Sequence, residues 1–260
     1  MTRVLSGAVL IALAVAAVWF ASDTLFLLIA VAFAAVAVVE LVGLGRASGM
    51  PIPMAPSVIA GCLVAAVVGS PFPFALEACL MTALVGIALT TLSEWRGGAG
   101  ALAAVASALF PALYVGLPIG AIVALRADRG PRVLFLLMLT VIVSDTAQYY
   151  TGRLMGRRPL APLASPKKTV EGAVGGVVFG TTAFTILGNW WLPIAVPLRI
   201  GLGLTIVALG IAGDLFESML KRSAGVKDSS ALIPGHGGVL DRIDALLFAA
   251  PIYYVVLKYV

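Results

Sequence analysis

The chain has 260 residues, 61% of them hydrophobic and only 11% charged, and its mean hydropathy is +1.10. A soluble domain carries about 25% charged residues, so this composition excludes a disordered chain and argues against a water-soluble globule. The 17 Lys and Arg against 12 Asp and Glu give a net charge of +5; in so apolar a chain this points to basic loops at a membrane and to anionic substrates, not to nucleic acid.

Apolar runs of about twenty residues, long enough to cross a hydrocarbon core of ~30 Å, recur along the whole chain. They predict an all-α polytopic transmembrane bundle of about nine spans, with eight to ten as the range. A β-barrel would instead show short alternating segments. The spans fall at roughly 4–21, 25–45, 57–70, 74–92, 99–125, 131–151, 171–188, 193–215 and 237–258. Arg3 and the apolar stretch to Ala21 read as a retained first helix rather than a cleaved leader, because further spans follow. Cys62 and Cys79 have no metal spacing and read as core packing. Glu40 and Glu77 sit in apolar segments, where a carboxylate is costly. Each is either a functional group or a structural carboxyl near a helix end, and the structural reading is preferred. Pro111 and Pro118 predict a kink or break in the fifth span. Gly175, Gly176 and Gly180 are small enough to pack helices within the chain or between chains, which leaves a homodimer open.

Charge concentrates in the second half, so the chain divides into N-terminal transmembrane helices (1–130) and a C-terminal catalytic region (131–260). Arg153, Arg157, Arg158, Lys167 and Lys168 follow span six, and Lys221, Arg222 and Lys227 follow span eight. Two spans separate these loops, so both lie on one side, which the positive-inside rule makes cytoplasmic. The expected location is therefore the cell (inner) membrane, multi-pass, with the active site facing the cytoplasm. Arg126, Arg129 and Arg132 depart from that rule.

The richest stretch runs from Asp214 to Asp244. Asp214, Glu217, Ser218, Lys221 and Arg222 occupy one helical face. Asp214 still belongs to the apolar span, where an ionised Asp needs a partner or a metal. Pro234-Gly235-His236-Gly237-Gly238 then precedes Asp241, Arg242 and Asp244 at the start of the last span. Glycines admit close backbone approach to a phosphate, and successive N–H groups make an anion-binding concavity. Span nine adds the positive end of a helix dipole. Carboxylates on two helix ends suit Mg²⁺, which takes oxygen ligands together with substrate phosphates. A second group is Ser144-Asp145-Thr146-Ala147-Gln148-Tyr149, followed by Ser165-Pro166-Lys167-Lys168-Thr169-Val170-Glu171-Gly172. Lys167 and Lys168 either bind a phosphate or anchor to lipid headgroups.

From Ser218 to Asp244 the sequence resembles the signature of phosphatidate cytidylyltransferases, also called CDP-diacylglycerol synthases. Ser218, Lys221, Arg222, Lys227, Asp228, Ser230, Pro234, His236, Gly237, Gly238, Asp241, Arg242 and Asp244 all match it. The 145–149 and 165–172 stretches also resemble that family, with Gln148 where alanine is common. The first ~130 residues show only hydropathy of the kind a bundle requires. The resemblance implies transfer of the cytidylyl group of CTP to phosphatidate, with CTP, phosphatidate and membrane lipid as partners. It implies Asp214 and Asp241 as metal ligands, with Asp244 a ligand or a support behind one. One or two divalent ions, Mg²⁺ first, are expected, and a monovalent ion is compatible. Lys221, Arg222, Lys227 and Arg242 become phosphate clamps or partners of nearby acids. Asp145, Ser165, Lys167, Lys168, Thr169, Gly237 and Gly238 become substrate-binding candidates. His236 is expected to hydrogen-bond a phosphate or its own loop, since a phosphate nucleophile needs no general base. A CTP-dependent lipid kinase is the alternative, and a transporter is disfavoured by the lack of an inverted repeat.

Overall fold

The computed structural model describes residues 2–70, 76–233 and 235–260. Pro234, the side chain of Arg3 and the first residues of the predicted span at 74 lie outside the described residues. The helices are α1 (Thr2–Phe20), α2 (Asp23–Ala47), α3 (Met54–Gly69), α4 (Leu76–Glu94), α5 (Ala101–Pro111), α6 (Leu117–Arg129), α7 (Pro131–Met155), α8 (Val170–Trp191), α9 (Val196–Ser223) and α10 (Leu240–Tyr259). A π-helical turn, Ala112–Gly116, joins α5 to α6 without a break. Every predicted span therefore falls on one helical rod, and the fold is an all-α polytopic bundle. Among the described residues six helical stretches have the length and apolarity to cross a membrane: α2, α4, the continuous α5–α6 rod, α7, α8 and α9. α3 is short at 16 residues, and α10 carries Asp241, Arg242, Asp244 and Lys258.

Local chemistry sets the ends of these rods. The Ser22 side chain accepts a hydrogen bond from Leu25 N at 3.3 Å and caps α2. Gly130, at φ +83°, separates α6 from α7, which opens on Pro131. The irregularity expected at Pro111 and Pro118 takes the form of the π-helical turn, which lies between them. Proline lacks the N–H that the ladder needs and its ring crowds the preceding turn, so the helix accommodates a wider turn there.

The chain packs as two units, Met1–Ala124 with Ser223–Arg242, and Leu125–Arg222 with Ile243–Val260. These units do not coincide with a division at residue 130, because the loop carrying the signature packs with the N-terminal helices. In the first unit α3 lies against the π-helical turn. A Cβ at Gly116 would stand 2.7 Å from the Gly61 carbonyl, and one at Gly120 would stand 3.0 Å from that of Ala65. Such close backbone approach is how helices associate where lipid gives no hydrophobic drive.

In the second unit α7 and α8 are in extended contact. A Cβ at Gly172 would stand 2.8 Å from the Gln148 carbonyl, Gly175 faces Thr151, and Gly180 faces Val207 and Ser144. The glycines at 175, 176 and 180 thus pack helices within the chain. The structure places two of the three arginines that depart from the positive-inside rule. Arg126 is buried, and Arg129 donates to the Leu257 carbonyl near the end of α10, where helix carbonyls lack partners and a cation is favoured. A buried arginine that the sequence pattern did not single out, Arg199, bonds Asn189 Oδ1 at 2.9 Å.

Candidate active site

The polar loop after α7 is a small antiparallel hairpin, β1 (Pro159–Ala161) and β2 (Ser165–Thr169). It is held at its base by Glu171, whose Oε2 accepts from Arg157 N at 2.9 Å and Arg158 N at 3.2 Å. Thr169 Oγ1 accepts from Gly172 N at 3.1 Å and caps α8, and Ser165 pairs with Ala161 in the hairpin. Of these two predicted substrate-binding residues, Thr169 has a structural side-chain role, and Ser165 lends its backbone to the hairpin. Successive strand side chains point to opposite faces, and this separates the two lysines. Lys168 forms an ion pair with Asp214 Oδ2 of α9, while Lys167 is exposed.

Around that pair the second unit gathers a cluster of acids. Asp145 lies on α7, and Gln148 Nε2 donates to its Oδ1 at 3.0 Å. This gives Gln148, the departure from the family pattern, a role in orienting Asp145. Ser218 Oγ stands 3.5 Å from Asp214 Oδ1. Gly213 brings α9 so near α10 that a Cβ there would stand 2.6 Å from the Asp244 carbonyl. Asp244 feels the charges of Asp214 and Asp145, and Asp145 feels those of Asp214 and Lys168. Asp145, Lys168, Asp214 and Asp244, predicted from three separate stretches, thus come together.

Lys221 takes the second of the two roles the sequence left open for it, partner of a nearby acid. It pairs with Glu217 one turn back on α9, and Glu217 is 0% exposed. Arg222 is exposed and its Nε donates to the Ala164 carbonyl of the hairpin at 3.3 Å. Lys221→Met, which removes the ammonium beside a buried carboxylate, is expected to destabilise the protein by ~3–5 kcal/mol. The Lys221→Met/Glu217→Leu pair should recover most of that loss. Thermal unfolding in detergent checks both, and an unchanged midpoint in the single variant would contradict the assignment.

The signature loop belongs to the first unit. Ile233 N donates to Gly237 O at 2.8 Å and His236 N to Ile233 O at 2.9 Å, closing a tight turn. Gly235 and Gly237 have φ of +78° and +77°, which glycine adopts without strain. His236 packs against α1, where a Cβ at Gly7 would stand 3.2 Å from its Nε2. Asp241 Oδ2 accepts from Ser229 N at 2.9 Å, Ser229 Oγ at 2.8 Å and Gly238 N at 2.8 Å. Glu40 of α2, 6% exposed, accepts from Ser230 Oγ at 2.6 Å, Val239 N at 3.0 Å and Leu240 N at 2.8 Å.

These bonds correct the expectation that Gly237, Gly238 and the start of the last helix make an open phosphate cradle. The N–H groups of residues 238–240 are committed to Asp241 and Glu40. The room that each missing Cβ leaves holds a carboxylate as well: Asp241 at Gly237, and Glu40 with Ser229 at Gly238. Lys227 and Arg242 are exposed.

Among the described residues no three His, Cys, Asp or Glu side chains stand in a ready metal-ligand arrangement. The donor chemistry nevertheless fits Mg²⁺, which is usually held by one or two carboxylates plus substrate phosphates. Asp214 already holds a cation in this structure, the Lys168 ammonium.

The chain is 46% identical over 127 residues to the "Uncharacterized protein YnbB" of Escherichia coli, covering 49% of this chain and 42% of that protein. It is 41% identical over 124 residues to a phosphatidate cytidylyltransferase of Aquifex aeolicus, covering 48% of this chain and 46% of the relative. To the phosphatidate cytidylyltransferase of Brucella melitensis it is 36% identical over 181 residues, covering 66% and 62%. The chain spans about half the length of the first curated relatives it matches. The profile of the cytidylyltransferase family matches residues 1–260, and with its polytopic helical fold and its paired acidic and basic groups, the chain belongs to that family.

Proposed function

We propose that the protein transfers the cytidylyl group of CTP to phosphatidate, giving CDP-diacylglycerol and pyrophosphate, at the cytoplasmic face of the cell membrane. The observation that carries this reading is the convergence of Asp145, Lys168, Asp214 and Asp244, three carboxylates and an ammonium gathered from α7, the hairpin, α9 and α10. A phosphate oxygen of phosphatidate attacks the α-phosphorus of CTP. The P–O bond to the β-phosphate breaks, and pyrophosphate leaves with the electron pair. A phosphate monoester is already anionic near pH 7, its second pKa being about 6. No side chain has to remove a proton, which fits a site rich in Asp and Lys.

What the reaction needs is neutralisation and in-line placement of the phosphates. Asp214 and Asp244 would hold a divalent ion together with phosphate oxygens of CTP; Asp241, expected as a ligand, has its Oδ2 engaged by Ser229 and Gly238 within the first unit. The ion supplies charge neutralisation of the triphosphate. Lys168 offers a second positive group for a phosphate oxygen, Asp145 and Gln148 set its surroundings, and exposed Lys167 and Arg242 suit anionic headgroups.

Product analysis tests the reading. With Mg²⁺, CTP and phosphatidate, pyrophosphate is expected to accumulate in step with CTP loss, and only when phosphatidate is present. CDP appearing in place of pyrophosphate would identify a lipid kinase and overturn the proposal.

A further inference from the structure

Glu40 is the buried carboxylate that the chemistry above leaves without a task. It lies on α2, almost two hundred residues from the signature, in a region where the sequence shows only hydropathy. Its two oxygens nevertheless meet four groups of the signature segment: Ser229 Oγ at 3.1 Å, Ser230 Oγ, Val239 N and Leu240 N. Two of these are the first amides of α10, which have no partner within the helix and carry its positive dipole end. Glu40 therefore caps α10 from another helix.

Ser229 links this cap to the signature acid. Its hydroxyl stands 3.1 Å from Glu40 and 2.8 Å from Asp241, and its amide also donates to Asp241. Gly238 has no Cβ where the Glu40 carboxylate enters. A carboxylate that only had to be tolerated in the bundle would not need a glycine cut out for it and two serines turned towards it.

We propose that Glu40 is a positioning residue of the transfer reaction, fixing the Ser229–Ser230 segment and the first turn of α10 so that Asp241 and Arg242 are presented in one geometry. The inference rests on the cytidylyl-transfer reading for its kinetic consequence, and on hydrogen bonding alone for its structural one. The two are therefore measured separately, on the full chain in detergent or nanodiscs, with Glu40→Gln and Glu40→Asp.

Hydrogen exchange gives the structural arm. Amides 239 and 240 are expected to exchange at least ~10-fold faster in Glu40→Gln, since the loss of a cap opens the first turn. Peptides from 125–222 should keep wild-type protection. Kinetics give the functional arm. Glu40→Gln is expected to lower kcat by ~10–100-fold with little change in KM for CTP, the signature of misplaced groups rather than lost substrate binding. Glu40→Asp, which keeps the charge on a shorter arm, should recover part of kcat.

Unchanged exchange at 239 and 240 would overturn the cap. Faster exchange with wild-type kcat would overturn the positioning role, as would a kcat loss matched by loss of protection throughout the chain. A wild-type protein that makes no CDP-diacylglycerol would remove the reaction reading, while the exchange result would still stand or fall by itself.

Discussion

Asp214→Asn is expected to reduce cytidylyl transfer by ~10²–10³-fold, the cost of removing one electrostatic group aimed at developing phosphate charge. Asp214 is half-buried in an apolar helix, pairs with Lys168, and acts on both Asp145 and Asp244. The amide keeps the shape and the bond to Ser218 but removes the charge that holds the Lys168 ammonium and, in the proposed reaction, the divalent ion. The loss should appear in kcat/KM at saturating Mg²⁺, with the variant extracted and unfolding as the wild type does. Activity within a few-fold of wild type would place the metal and the chemistry elsewhere.

Gly238→Ala is the second large effect expected. The new methyl group would enter the space that the Glu40 carboxylate and Ser229 Oγ occupy. Glu40 is buried between α2 and the signature loop, and Ser229 is half-buried and bonded to both Glu40 and Asp241, so neither can readily give way. Overpacking of this kind costs ~1–3 kcal/mol. Displacing the first turn of α10 by about 1 Å would lower turnover by ~10²-fold. Gly225→Ala makes a useful contrast: that loop glycine has φ +71° but open space around it. It should lose a little stability through backbone strain and keep turnover. Equal turnover in the two variants would contradict the close packing at Gly238.

The bundle was legible because a span in lipid must satisfy its backbone internally, so hydropathy alone marks each rod. The count of helices followed; which of them cross the membrane did not, since α3 is short and α10 carries charge at its start. The placement of the candidate residues on regular elements was legible too. Asp145, Lys168, Asp214 and Asp244 sit where period and motif put them, and strand alternation separates Lys168 from Lys167.

The irregular loop was not legible. Glycines before a helix read as a phosphate cradle because the same geometry serves any carboxylate or phosphate, and nothing local tells which anion fills it. Here the anion is Glu40, a partner 190 residues from Ser230. Its one sequence signal was a lone acid in an apolar run, and that signal says only that a partner exists. Ser229, unremarkable beside Ser230, was missed for the same reason.

CTP labelled in parallel at its α- and γ-phosphates identifies the transferred group. With wild-type protein, phosphatidate and Mg²⁺, α-label is expected in the lipid phase and γ-label in pyrophosphate, in equal amounts. Label from the γ-phosphate in lipid, or α-label that stays wholly in soluble nucleotide, would contradict cytidylyl transfer.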